Sequence, residues 1–174
     1  NRVRRQRQMC IRDRNCREWI ISDLAIVMAG YISVPFFPSL NGKELSYIMD
    51  YGDVDALFIG KIETWDDIKN DLPSEMPIIR FPKYEGCSNV TKGHEWHEFI
   101  NSHEPIENPN KPKLSDLWTI IFTSGTTGNP KGVMLTYQAI DGIKVVLDDP
   151  NNPLGIKHTG NNDCLLYTSP SPRD

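Results

Sequence analysis

The chain has little cysteine, few aromatics and no long apolar run. Of its 174 residues four are Cys, and Phe, Trp and Tyr together make up 9%. Cys10 and Cys164 lie in the terminal segments treated below. Cys16 and Cys87 stand far apart without metal-type spacing. Two isolated cysteines make no disulfide framework, and they point to a reduced, cytosolic setting. The apolar stretch Leu24 to Val34 has eleven residues and is bracketed by Asp23 and Pro35. A bilayer span takes about 20, so this stretch reads as a buried helix running into a strand. His103 and His158 have no visible Ser or Cys partner, which leaves a nucleophile triad without support. The aromatic and basic interleaving of nucleic-acid binders is absent from residues 15–163.

The two ends share an origin that folding would not select. Met9 to Asp13 can be encoded by ATG TGT ATA AGA GAC. The opposite strand, shifted in frame and extended by flanking bases, reads TGT CTC TTA TAC ACA TCT and encodes Cys164 to Ser169. Both ends resemble translated sequencing adapters, so residues 1–14 and 164–174 are expected to be adapter-derived scars. They hold seven of the arginines and two of the aspartates, which leaves 12 basic and 21 acidic residues in 15–163. The basic N-terminus therefore carries no argument for nucleic-acid or lipid binding, and the remaining segment is acidic. Its 149 residues are the size of one domain.

Along 15–163 helical and strand patterns alternate. Arg17 to Gly30 is predicted helical, with Trp19, Ile20, Leu24, Val27 and Met28 at helical spacing. Tyr31 to Phe36 reads as a strand, and Asn41-Gly42 opens a helix through Leu45, Ile48 and Met49 that ends near Gly52. Ala56 to Ile59 and Pro77 to Phe81 read as strands around an acidic amphipathic helix, Ile62 to Asn70. His94 to Ser102 reads as a short helix, and proline-rich Pro105 to Lys113 as a surface connection. Trp118 to Thr123 and Val133 to Leu135 are strand-like, and Thr136 can cap a following helix. Such alternation predicts an α/β fold with a largely parallel sheet.

The densest chemistry is the run Phe122 to Val133, FTSGTTGNPKGV. Glycines let backbone N–H groups approach an anion, hydroxyls add short donors, and Lys131 adds a compact positive charge. A polyphosphate suits such a loop best. The P-loop pattern of nucleoside triphosphatases fails here, because Pro130 and Gly132 stand where glycine and a hydroxyl are needed. The dinucleotide fingerprint is only partly present at Gly125 and Gly128. A bare tight turn between strands would not require so constrained a run.

Over Thr123 to Val133 the run resembles, without mismatch, the phosphate loop of adenylate-forming enzymes, the superfamily of acyl-CoA synthetases, peptide-synthetase adenylation domains and luciferases. A second likeness lies upstream. Asn15 to Trp19, Asp23 to Ala25, Ala29 to Tyr31 and Val34 to Ser39 are similar to the N-terminal region of acyl-CoA synthetases, the long-chain type especially. The resemblance implies an incomplete part of the large N-terminal domain of such an enzyme, spanning 15–163. It implies activation of a fatty acid with ATP and Mg²⁺ to an acyl-adenylate, followed by transfer to coenzyme A. Thr123, Ser124, Gly125, Thr126, Thr127, Gly128 and Lys131 would hold the triphosphate, and Gly132 would serve close packing. The expected partners are small molecules (fatty acid, ATP, coenzyme A) and no nucleic acid. The expected location is cytoplasmic, at most peripheral at the inner face of a membrane. The family's Tyr-Gly-x-Thr-Glu segment and C-terminal catalytic lysine do not occur before Asp163, so no catalytic residue and no metal ligand is assigned, and the piece itself is expected to be inactive. Another carboxylic acid substrate, a carrier-protein acceptor, a nucleotide-binding module without ligase activity and a loop that binds nothing stay open.

The remaining constellations are weaker. His94-Glu95-Trp96-His97-Glu98 falls one residue short of the H-E-x-x-H zinc motif and reads as a solvated face opposite Trp96, Phe99 and Ile100. Asp66-Asp67 and Asp148-Asp149 read as solvated carboxylates.

Overall fold

A computed structural model describes residues 8–12, 16–123 and 130–141. The chain divides into two compact units, Asn1–Tyr137 and Gln138–Asp174. Of the second, the described residues 138–141 are helical; all that follows concerns the first. Among the described residues no helix is long and apolar enough to cross a membrane.

The elements run β1 (Gln8–Arg12), α1 (Arg17–Met28), β2 (Ile32–Phe36), α2 (Gly42–Tyr51), β3 (Val54–Ile59), α3 (Trp65–Ile68), β4 (Ile78–Arg80), β5 (His94–Glu95), α4 (Trp96–Asn101), β6 (Leu117–Thr123) and β7 (Lys131–Thr136). They form a seven-stranded sheet in the order β5-β4-β3-β1-β2-β6-β7. Every neighbouring pair is parallel except the β6–β7 hairpin. The α/β class and the mostly parallel sheet are those expected from the alternating pattern.

Strand periodicity sorts the core into two layers. Leu57, Ile59 and Ile78 face α2 and α3, where they meet Leu45, Ile48, Trp65 and Ile68. Phe58 and Ile79 face the other way and pack with Ile11, Ile26, Phe81 and Trp96 beside α1 and α4. Helix α2 follows directly from its sequence. Asn41 accepts from the Glu44 N–H at 2.9 Å while the Glu44 carboxylate accepts from the Asn41 N–H at 3.0 Å. This reciprocal cap satisfies two donors that a helix start leaves orphaned. Gly52 closes the helix, and Leu45, Ile48 and Met49 are buried as predicted.

Elsewhere the structure corrects the sequence reading. Helix α1 buries Glu18, Ser22 and Ile26, whereas Ile20, Leu24 and Met28 of the predicted face are exposed. A helix apolar on both sides gives periodicity no unique direction. The acidic helix shrinks to Trp65–Ile68, although Ile62 and Leu72 on its flanks stay buried. His94–Glu95 forms an edge strand before α4, because β4 offers it a parallel partner. Ile100 is exposed, unlike buried Trp96.

Segment 1–14, set aside on coding grounds, contributes β1 at the middle of the sheet. Gln8–Arg12 pairs with both β2 and β3, and Ile11 is fully buried. The slot between β2 and β3 requires a strand on hydrogen-bonding grounds, since two open edges would otherwise be buried unpaired.

Candidate functional site

The glycine-rich run is seated on the β6–β7 hairpin. Strand β6 lies parallel to β2, with Ser33 opposite Thr119. Their carboxyl ends therefore reach the same edge of the sheet, where open α/β folds place ligands. Thr119 Oγ1 donates to the Ser33 carbonyl at 2.8 Å, and Ser33 Oγ donates to Asp23 Oδ1 at 2.5 Å. This partly buried chain ties α1, β2 and β6 together. Burial pushes the Asp23 carboxyl up, against the opposing pull of the Ser33 hydroxyl. Burial and the nearby charges of Asp116 and Asp23 likewise raise Tyr137.

At the hairpin mouth Thr123 stands opposite Lys131, and Phe122 opposite Gly132. The two site residues within the described range thus meet across the hairpin on one face. Thr123 Oγ1 donates to the Lys131 carbonyl at 3.4 Å, and both side chains are exposed. Ser124, Gly125, Thr126, Thr127 and Gly128 lie outside the described residues. Gly132 packs closely, as expected: a Cβ there would stand 3.0 Å from Ile120 Cγ2 and 3.3 Å from the Phe122 ring.

Beside the mouth lies a cavity of about 300 Å³, walled by Phe37, Leu40, Ile48 and Phe122, with Ser39, Glu44, Thr123 and Pro130 around them. Its apolar walls come from the β2–α2 connection, α2 and β6. Sequence reading assigned none of these apolar residues to a site, because adjacency of β2 and β6 is a tertiary fact. The strand ending Phe36-Phe37-Pro38-Ser39 was the available signal.

A second polar cluster pins the start of α1. Glu18 has no exposed surface, and it accepts from Arg17 Nε at 2.6 Å and from the Tyr84 hydroxyl. Burial alone would push its carboxyl up. The Arg17 and Tyr84 hydrogen bonds outweigh it and hold the group at about 2. Burial and the Glu18 carboxylate push the Tyr84 hydroxyl far up. These partners lie 66 residues apart, and no sequence signal joins them.

The weaker constellations stay apart. Among the described residues no group of three or more His, Cys, Asp and Glu is placed to hold a metal. His94 and His97 are exposed, and Asp66 pairs with Lys69 at 2.6 Å. His103 packs on the Phe99 ring, 4.5 Å between centroids. Asp148, Asp149 and His158 lie outside the described residues.

Known proteins resemble this chain in sequence and in arrangement. The profile of the family "AMP-binding enzyme" matches residues 2–168. Long chain acyl-CoA synthetase 1 of Arabidopsis thaliana is 28% identical over 144 residues, 77% of this chain and 22% of that protein. Long-chain-fatty-acid–CoA ligase 1 of Homo sapiens is 29% identical over 138 residues, 72% of this chain and 20% of that protein. The chain thus spans about a fifth of the length of these curated relatives. Among solved structures, an acyl-CoA synthetase of Brucella canis superposes with a TM-score of 0.64 at 17% identity, over 79% of this chain and 24% of that one. That likeness is one of fold. With a family profile matching residues 2–168 and the glycine-rich run joining the strands of the β6–β7 hairpin, the chain belongs to the AMP-binding enzyme family.

Proposed function

We propose that this chain is part of an ATP-dependent acid–CoA ligase acting on a long-chain fatty acid. The observation that carries the reading is the run Thr123 to Lys131, seated at the carboxyl end of β6 in a chain of the AMP-binding family. The long-chain names of its curated relatives support the substrate class. In the reaction a carboxylate oxygen attacks the α-phosphorus of ATP and pyrophosphate leaves. The thiolate of coenzyme A then attacks the acyl carbonyl and AMP leaves. Charge gathers on the phosphates in the first step, so donors fixed before reaction matter most. Lys131 supplies a positive charge and Thr123 a hydroxyl at the hairpin mouth. Ser124, Gly125, Thr126, Thr127 and Gly128 complete the proposed cradle. Mg²⁺ would neutralise phosphate charge when bound, and no carboxylate of this chain is assigned to it. The 174-residue chain alone is proposed to be inactive, as it holds no Tyr-Gly-x-Thr-Glu segment. An acyl chain of this class collects at membranes, so the enzyme is placed in the cytoplasm or peripherally on a membrane face.

The test begins with the DNA. Long, adapter-independent reads across the codons for Arg14 and Asp163 are expected to replace 1–14 and 164–174 and to extend the frame into Tyr-Gly-x-Thr-Glu. In the resulting full-length enzyme, Lys131→Ala should lower fatty-acid-dependent ATP–pyrophosphate exchange on the order of 10²-fold. Stability should change by no more than about 0.5 kcal/mol, because Lys131 is exposed. Exchange at the wild-type rate would overturn the assignment of the loop.

A further inference from the structure

On the other half of the sheet, the carboxyl ends of β3, β4 and β5 enclose a cleft of about 320 Å³. Lys61, Arg80 and Lys83 line it together with Ser88, Asn89 and Glu95. Three cations converge in a chain that is acidic overall. One carboxylate stands among these six residues: Glu95 is paired with Arg80 across β4 and β5 and accepts from the Glu98 N–H at 3.0 Å, and the three cations outnumber it. Arg80 donates through Nη1 to the Gly93 carbonyl, which holds its guanidinium beside the cleft.

The cleft is also built rather than incidental. Lys61 has φ 44°, the left-handed region that a lysine adopts at a cost, and such strain collects at functional positions. Its ammonium lies 5.0 Å from the centroid of the Tyr84 ring, and the Tyr84 hydroxyl is tied to buried Glu18. The ammonium is thus held against a ring that is itself tied to α1. Ser88 N–H donates to the Ile62 carbonyl at 2.7 Å, which folds the segment after β4 back over the end of β3. At Gly60 a Cβ would collide with Phe81, so the floor of the cleft accepts only glycine without rearrangement.

We propose that this cleft is an anion site for a phosphoryl group, carried as a phosphomonoester or diphosphate. A single carboxylate ligand would leave part of this donor set unused. A phosphoryl dianion presents three acceptor oxygens, enough for an arginine fork, lysine ammonium groups and the neutral donors of Ser88 and Asn89 together.

The test is a titration of the ¹⁵N-labelled chain with inorganic pyrophosphate, read at the amide signals of Lys61, Ser88 and Asn89. Saturable shifts are expected at these residues, resolved from any response at Thr123 and Lys131. Lys61→Gln and Lys83→Gln should each weaken the response about tenfold or more. Lys83 is exposed, so its variant folds as the parent does, and exposed Lys111→Gln serves as the control that changes nothing. Flotation with vesicles of phosphatidic acid in phosphatidylcholine forms a second arm. Binding lost in the same two variants would assign the phosphoryl group to a lipid headgroup, and a pyrophosphate response alone would assign it to a soluble ligand. Shifts that fail to saturate, that persist in both variants, or that sodium chloride of equal ionic strength reproduces would overturn the proposal.

Discussion

Glu18 shows how a single buried charge shapes the acid response of this chain. Its carboxyl is held at about 2, against 4.5 for a free glutamate. Between those values the unfolded chain binds the proton and the folded chain does not. Stability from this group is therefore complete above about pH 4.5 and is lost as pH falls toward 2. Asp23, which burial pushes up, has the opposite sign: its share of stability grows as pH falls. Glu18→Gln should lower the urea midpoint at pH 7 and flatten its decline on acidification. An unaltered slope in the variant would mean that the Arg17 and Tyr84 contacts do not hold the charge in solution. The residue scale was partly legible in the sequence. Thr123, Lys131 and Gly132 were singled out by the motif, and the structure sets them at the mouth of the β6–β7 hairpin. Glu18 read as part of an N-terminal likeness, and its burial against Tyr84 depends on a contact across 66 residues.

At the scale of elements, α2 and α1 make a useful contrast. Helix α2 carries its own start signal and a single apolar face, so both its boundaries and its buried residues could be read. Asn41→Ala should remove the cap and cost about 1 kcal/mol, measured as a shift in the chemical-denaturation midpoint. Retention of full stability would show that the cap is dispensable to the fold. Helix α1 has apolar residues all round, and its polar Glu18 and Ser22 face inward because Tyr84 and Trp96 offer them partners. Trp96 Nε1 donates to Ser22 Oγ at 3.3 Å, a contact that makes a polar residue suitable for the interior. Periodicity alone had no access to those partners.

The whole molecule leaves two apolar surfaces uncovered among the described residues. One is the outer stripe of α1, with Ile20, Leu24 and Met28 each about half exposed. The other is β7 at the end of the sheet, where Met134 is 69% exposed. An open strand edge and a contiguous apolar stripe both favour association. The isolated chain should therefore self-associate with rising concentration in sedimentation velocity. Leu24→Gln with Met28→Gln should reduce that association and leave folding stability within about 0.5 kcal/mol. Unchanged association in this double variant would move the cause to the β7 edge.

The amino-acid order by itself determined the α/β class, the positions of β2, β3, β4, β6 and β7, the capped helix α2 and the glycine-rich run. Each of these is written in local signals: period, cap chemistry and glycine content act over a few neighbouring residues. Tertiary structure alone decided that β1 fills the centre of the sheet and that β2 lies beside β6. It also turned α1 to bury Glu18, and gathered Lys61, Arg80 and Lys83 around one cleft. Those outcomes depend on pairings between distant segments, where hydrogen bonds and buried area are settled only once the whole sheet is assembled.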